Sequence, residues 1–129
     1  MSQRSFRVAI FAETYLPYLS GVTVSTEALA RGLGSLGHRV LLAAPRPARG
    51  ESPGTAGAPG PEPEYAWLPS YQPPLPAPPG YRMPLPLPSE ALRRARQFGP
   101  DVLHAQSPFV SGLMARRTAQ RAGVPLVFT

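Results

Sequence analysis

Two compact apolar runs, Arg7-Val-Ala-Ile-Phe11 and Val40-Leu-Leu-Ala-Ala44, flank a segment with helical spacing, and this alternation most constrains the fold. The first run has strand length and β-forming composition, as a strand buried on both faces requires. Between the runs, Val22, Leu29, Leu33 and Leu36 fall on one helical face, with the small residues Ser25, Ala28 and Gly32 beside them. Gly37 stands where a helix C-cap belongs. Strand, loop, helix and strand within about 40 residues read as a right-handed βαβ unit.

The alternation resumes after residue 88. Ser89 is a good N-cap, Glu90 lies in the first turn, and Arg93, Arg94 and Arg96 follow, a charge order that matches the helix dipole. Leu92, Ala95 and Phe98 form the buried stripe, and Gly99-Pro100 ends the helix. Asp101–Ala105 reads as a strand, with Asp101 as a turn residue at its outer end. Ser107-Pro108 is expected to cap and start a helix with Val110, Leu113 and Met114 inward and Arg116, Arg117 and Arg121 outward. Gly123 closes it, and Pro125–Thr129 begins a last strand. The predicted class is α/β, a doubly wound parallel sheet ordered 3-2-1-4-5. No helix follows that last strand to cover it, so residues 1–129 read as a partial domain.

Between Pro45 and Pro88 the periodicity fails. That stretch holds 15 of the 19 prolines, which remove backbone donors and restrict it to loop, polyproline or edge-strand conformations. Tyr65–Leu68 is predicted as a short edge strand and Met83–Leu87 as an extended piece. Gly50–Pro63 carries the least patterning and is expected to be mobile. Pro73–Pro79 is a polyproline candidate, so an interaction module on an α/β scaffold is an alternative function.

Composition excludes several chemistries. With no cysteine there is no disulfide, thiol nucleophile or zinc–thiolate site. The net charge of +6 comes from 13 arginines and no lysine, a balance that favours anionic partners. Neither a nucleic-acid motif nor aromatic interleaving accompanies it, so nucleic acid is not an expected partner. The apolar run at Val8–Ala12 is too short for a signal-peptide core or a membrane span. A receiver-type domain would need an acidic cluster at the strand ends, where Glu13 is the one carboxylate. A flavin site has no sequence support.

In an open α/β sheet, ligands bind beyond the carboxyl ends of the strands where strand order reverses. The loop after the first strand, the residues after Leu103 and the end of the chain should meet there. Ser20-Gly21-Val22 leads straight into a helix N-terminus, which can hold a phosphate or can be an ordinary turn before a helix. The dinucleotide fingerprint G-x-G-x-x-G is absent.

The segment Phe11-Ala-Glu-Thr-Tyr-Leu-Pro-Tyr-Leu-Ser-Gly-Val22, with a helix ending Leu36-Gly-His-Arg-Val40, resembles the opening of family 4 glycosyltransferases. So do Phe98-Gly-Pro-Asp-Val-Leu-His-Ala-Gln-Ser-Pro108 and the closing Gly123-Val-Pro-Leu-Val-Phe-Thr129. The three segments stand in the family's order and cover all but the Pro-rich middle. The resemblance implies the N-terminal, acceptor-side domain of a two-domain GT-B enzyme, with the donor-binding domain lying outside this chain. It implies a retaining transferase that moves a hexose from a nucleotide-sugar donor to an acceptor hydroxyl, without a metal or other cofactor.

By the same resemblance, Ser20, Gly21 and Val22 face the donor diphosphate, with Ser20 in place of a frequent first glycine. Glu13, Tyr15 and Tyr18 would line the acceptor side, where tyrosine offers an apolar face and a polar tip. Loop packing is the other reading of all three. His104 is the candidate catalytic residue, or a buried histidine hydrogen-bonded to a loop carbonyl. Gln106 would reach a sugar hydroxyl. Arg82, in Gly-Tyr-Arg-Met-Pro84, would bind a phosphate or headgroup, or stay solvated. The Tyr-Leu-Pro-Tyr-Leu-Ser-Gly-Val form is similar to the lipid-modifying subset, such as diacylglycerol glucosyltransferases. The expected acceptor is then a lipid or sugar, and the expected location cytoplasmic, with peripheral contact to anionic lipid at the inner membrane face.

Overall fold

A computed structural model of the chain describes residues 4–48, 55, 57–74 and 76–129. Five parallel strands form one sheet: β1 (Arg7–Phe11), β2 (Arg39–Pro45), β3 (Glu64–Leu68), β6 (Val102–Ala105) and β7 (Leu126–Phe128). Their spatial order is β3-β2-β1-β6-β7. This is the doubly wound order expected from the sequence, with reversal at β1. Ile10 pairs in register with Leu42 on one side and His104 on the other. Two short strands, β4 (Ser70–Tyr71) and β5 (Met83–Pro84), form a separate antiparallel pair.

Helices cover the two faces unequally. α1 (Gly21–Ser35) packs on the face that carries Val8, Ile10, Val40 and Leu42. α2 (Glu90–Gln97) and α3 (Val110–Ala122) lie on the opposite face against Ala9, Phe11, Leu41 and Leu103. The strands alternate between two cores because successive side chains point to opposite faces. Alanines at 9, 43, 66, 91, 95, 105, 115 and 119 let the α2–α3 layer approach the sheet closely.

α1 differs from the sequence reading. Its fully buried side chains are Thr23, Thr26, Glu27 and Ala30, while Val22 and Leu36 are half exposed. The buried threonines meet their polar needs locally: Thr26 Oγ1 donates to the Val22 carbonyl at 2.8 Å. Glu27 accepts from the Thr55 N–H at 2.7 Å and approaches Arg31 Nε at 3.5 Å. A face rich in threonine reads as polar by hydropathy, and this misled the placement. The C-terminus is as expected: Gly37 adopts φ +91°, and the His38 and Gly37 N–H groups close onto the Leu33 and Gly34 carbonyls.

α3 also departs at its start. The cap position is Phe109, without a side-chain cap, and Ser107 Oγ instead accepts from the Phe109 N–H at 3.2 Å. Leu113 is exposed, whereas Ser111, Gly112, Met114 and Ala115 face inward. Ser89 caps α2 as expected.

The Pro-rich stretch includes an ordered strap over the carboxyl ends of β1–β3. Ser70 Oγ donates to the Arg46 carbonyl at 2.7 Å, and the Leu85 N–H donates to the Pro69 carbonyl at 2.7 Å. Pro84 is fully buried. Proline rings serve here as apolar ballast at positions whose missing N–H costs nothing. The expected mobility of Gly50–Pro63 falls in part on residues 50–54 and 56, outside the described residues. Gly60 and Pro61 of that stretch pack on α1, with Arg31 donating to the Gly60 carbonyl at 3.0 Å.

Candidate functional site

The carboxyl ends of the strands are joined into one edge by backbone hydrogen bonds. The Ala12 N–H reaches the Ala43 carbonyl at 2.9 Å, and the Gln106 N–H reaches the Phe11 carbonyl at 3.0 Å. The Thr129 N–H reaches the Ala105 carbonyl at 3.1 Å. The loop after β1, the start of α1, the end of β6 and the end of β7 therefore converge, as the switch-point rule requires.

Ser20 and Thr23 shape the start of α1. The Ser20 hydroxyl accepts from the Thr23 N–H at 3.2 Å, and Thr23 Oγ1 accepts from the Ser20 N–H at 2.9 Å. Thr23 Oγ1 also donates to the Tyr18 carbonyl at 2.9 Å, fixing the last turn of the loop. Ser20 is thus occupied as a cap. The Gly21 and Val22 N–H groups have no acceptor among the described residues. A Cβ placed on Gly21 would meet nothing within 4 Å, so the space beside this glycine is open. Free N–H groups at the positive end of a 15-residue helix suit an anion.

Glu13 is held across the site. Its Oε1 accepts from the Ser111 N–H at 2.8 Å and from the Ser111 hydroxyl at 3.0 Å. The carboxylate thereby caps α3, which lacks a cap of its own. Its other oxygen, Oε2, is buried without a hydrogen-bond partner. Gly112 lets the Ser107 backbone lie close against α3: a Cβ there would lie 2.2 Å from the Ser107 carbonyl oxygen.

The two tyrosines of the loop part company. Tyr15 is 4% exposed, its ring sits in the α1-side core near Tyr65, and its hydroxyl has no hydrogen-bond partner within 3.5 Å among the described residues. Burial, reinforced by the neighbouring Tyr65, pushes its ionisation far above that of an ordinary tyrosine. Tyr18 is half-buried and meets Tyr81 edge-to-face at 5.0 Å. Gly80, at φ +80°, brings the strap backbone against Pro17 and Tyr18.

His104 lies on the α1 face of β6, in register with Ile10 and Val127, and its Nε2 hydrogen-bonds with Thr129 Oγ1. Burial lowers its pKa, which favours the neutral ring at pH 7. Gln106 is half-buried at the end of β6. Asp101 sits at the opposite end, where its carboxylate accepts from the Arg7 N–H at 2.8 Å, a turn role as expected. Arg82 turns onto the strap: Nε donates to Ser70 Oγ at 2.8 Å and a terminal nitrogen to the Ser70 carbonyl at 3.0 Å. The edge therefore gathers Glu13, Tyr18, Ser20, Gly21, Val22, His104 and Gln106. Tyr15 lies beneath it and Arg82 within the strap.

Sequence reasoning passed over Ser111, Thr23 and Tyr81. Thr23 had a readable signal, three residues after a Ser N-cap. The Ser111–Glu13 contact spans 98 residues and had none. Among the described residues no three His, Cys, Asp or Glu side chains gather as for a metal, and no helix is long and apolar enough to cross a membrane.

The sequence profile of Glycosyltransferase Family 4 matches residues 19–129. The chain is 30% identical over 126 residues to the alpha-monoglucosyldiacylglycerol synthase of Acholeplasma laidlawii, covering 95% of this chain and 29% of that protein. It is 34% identical over 121 residues to the GDP-mannose-dependent alpha-mannosyltransferase of Mycobacterium tuberculosis, covering 94% of this chain and 31% of that protein. The corresponding Mycolicibacterium smegmatis enzyme gives the same figures. The chain thus spans less than a third of the length of these relatives. A doubly wound sheet and a family profile over most of the sequence agree: the chain belongs to glycosyltransferase family 4.

Proposed function

We propose that this chain forms the acceptor-side, diphosphate-facing part of a retaining GT-B glycosyltransferase, which moves a hexose from a nucleotide sugar to an acceptor hydroxyl. A lipid is the acceptor class, and a separate domain holds the donor nucleotide. The observation that carries this reading is the pair of N–H groups of Gly21 and Val22, which have no acceptor among the described residues and stand where the loop after β1 enters α1. In this reading the two N–H groups receive the donor diphosphate as charge builds on it when the sugar departs. His104 and Gln106 hydrogen-bond the acceptor or sugar, and Tyr18 offers its ring to the acceptor. Arg82 stiffens the strap through Ser70, and Tyr15 supports the loop from below.

The lipid assignment takes support from the diacylglycerol-directed relative and from the all-Arg positive charge. Arg96, Arg117 and Arg121 surround a cleft between α2 and α3 that also exposes Leu87 and Leu113, a surface suited to anionic headgroups. The proposed location is cytoplasmic, at the inner membrane face. The test is to express the complete reading frame that encodes this chain and supply UDP- and GDP-hexoses with diacylglycerol or sugar acceptors. Acceptor-dependent release of nucleoside diphosphate is the expected result. Its absence with every donor would refute the reading.

A further inference from the structure

The strap bears a shallow pocket, open to solvent, that the site described above does not use. Its volume is about 400 Å³, within the range of ligand pockets, and Tyr71, Pro73, Pro76, Pro78, Tyr81 and Met83 line it. It opens beside the first loop, because Tyr81 is both a wall of the pocket and the ring that meets Tyr18 edge-to-face.

The lining selects the occupant by chemistry. Among the described residues no charged side chain contributes to it, and the adjacent Arg82 is engaged with Ser70. An anionic headgroup would therefore find no counter-charge there. A sugar ring needs several hydrogen-bonding groups around its rim. The pocket has two hydroxyls, and that of Tyr81 is donated to Met83 Sδ at 3.1 Å. What remains is proline rings, tyrosine faces and a thioether, which together make an adaptable apolar surface.

We propose that this pocket is the subsite for the hydrocarbon part of the acceptor, an uncharged aliphatic chain attached to a hydroxyl-bearing group held at the first loop. The assignment rests on the acceptor-side reading of that loop, and it gives the Pro-rich strap a role in substrate selection. Prolines suit such a wall because they lose little conformational entropy when a flexible chain packs on them.

The experiment titrates the chain with methyl, butyl, hexyl and octyl glucosides below their micelle concentrations. Calorimetry reads affinity, and the Met83 methyl resonance reads location. Affinity should rise up to about fourfold for each methylene that enters the pocket, with the Met83 resonance moving in step. Pro78→Glu, on the exposed outer turn of the strap, should flatten this dependence and leave methyl glucoside binding unchanged. Met83→Glu should do the same from within. Affinity that is flat across the series would overturn the proposal. So would a rise that leaves the Met83 resonance still or that survives Pro78→Glu. The readout requires no sugar transfer. Length-dependent binding in a protein that transfers no sugar would therefore count against the proposed function alone, and transfer indifferent to alkyl length would count against the pocket alone.

Discussion

The Glu13 carboxylate and Ser111 are joined by two hydrogen bonds to one oxygen, at 2.8 Å from the backbone N–H and 3.0 Å from the hydroxyl. This contact ties the loop after β1 to the start of α3 and sets the breadth of the edge between them. Removing the carboxylate leaves two donors of a fully buried serine unsatisfied. Glu13→Ala should cost about 2–3 kcal/mol and Ser111→Ala about 1 kcal/mol. The double variant should cost less than the sum, as contacting residues do. Denaturant unfolding of the four proteins measures this coupling, and strict additivity would show that the contact contributes nothing.

Tyr15 carries a buried hydroxyl without a partner. Tyr15→Phe removes that unsatisfied group with little change in shape, and should stabilise the fold by about 1 kcal/mol. A lowered melting temperature would mean that the hydroxyl is bonded. The linkage is directional. An unfolded tyrosine ionises near 10.0, whereas burial keeps Tyr15 neutral in the folded chain. Stability should therefore fall as pH rises above 10, and Tyr15→Phe should remove part of that loss.

Gly112 has no room for a side chain, since its Cβ would lie 2.2 Å from the Ser107 carbonyl oxygen. The obstacle is backbone and cannot rotate away. Gly112→Ala should destabilise the protein by about 3 kcal/mol despite improved helix propensity. Gly32 sits in α1 with nothing within 4 Å, so Gly32→Ala should stabilise by about 0.5–1 kcal/mol. Thermal melts of the two variants should move in opposite directions.

His104 should remain neutral at pH 7, because burial lowers its pKa from 6.5. Below that value the unfolded chain takes up a proton that the folded chain refuses, so stability should fall as pH drops through 6.5. The loss should level off once the folded-state pKa is passed. His104→Gln should show a smaller difference between pH 7.5 and pH 5 than the parent. An equal difference would assign the acid sensitivity to other groups.

The sheet was legible because its evidence is local. Arg7–Phe11 and Val40–Ala44 are too short and too apolar to be anything but buried strands, and Gly37 and Gly99 mark turns that only positive φ satisfies. The site was legible in part. Gly21 announces itself by position, at the junction of a loop and a helix. The inward face of α1 was not legible, because Thr23 and Thr26 bury hydroxyls that bond their own turn, which hydropathy scores as exposed. Nor was the role of Glu13, whose partner comes from the far end of the chain, or that of Arg82, turned onto Ser70 across the β4–β5 pair.

The N–H groups of Gly21 and Val22 are proposed to receive the donor diphosphate. Gly21→Asp tests it most directly, in the protein made from the complete reading frame. The space beside Gly21 is open and an acidic residue suits a helix N-terminus, so the fold should keep its melting temperature. The new carboxylate would occupy the place of the diphosphate and repel it. KM for the nucleotide sugar should rise at least about tenfold, the cost of one lost charge-assisted contact. An unchanged KM at unchanged stability would place the donor elsewhere.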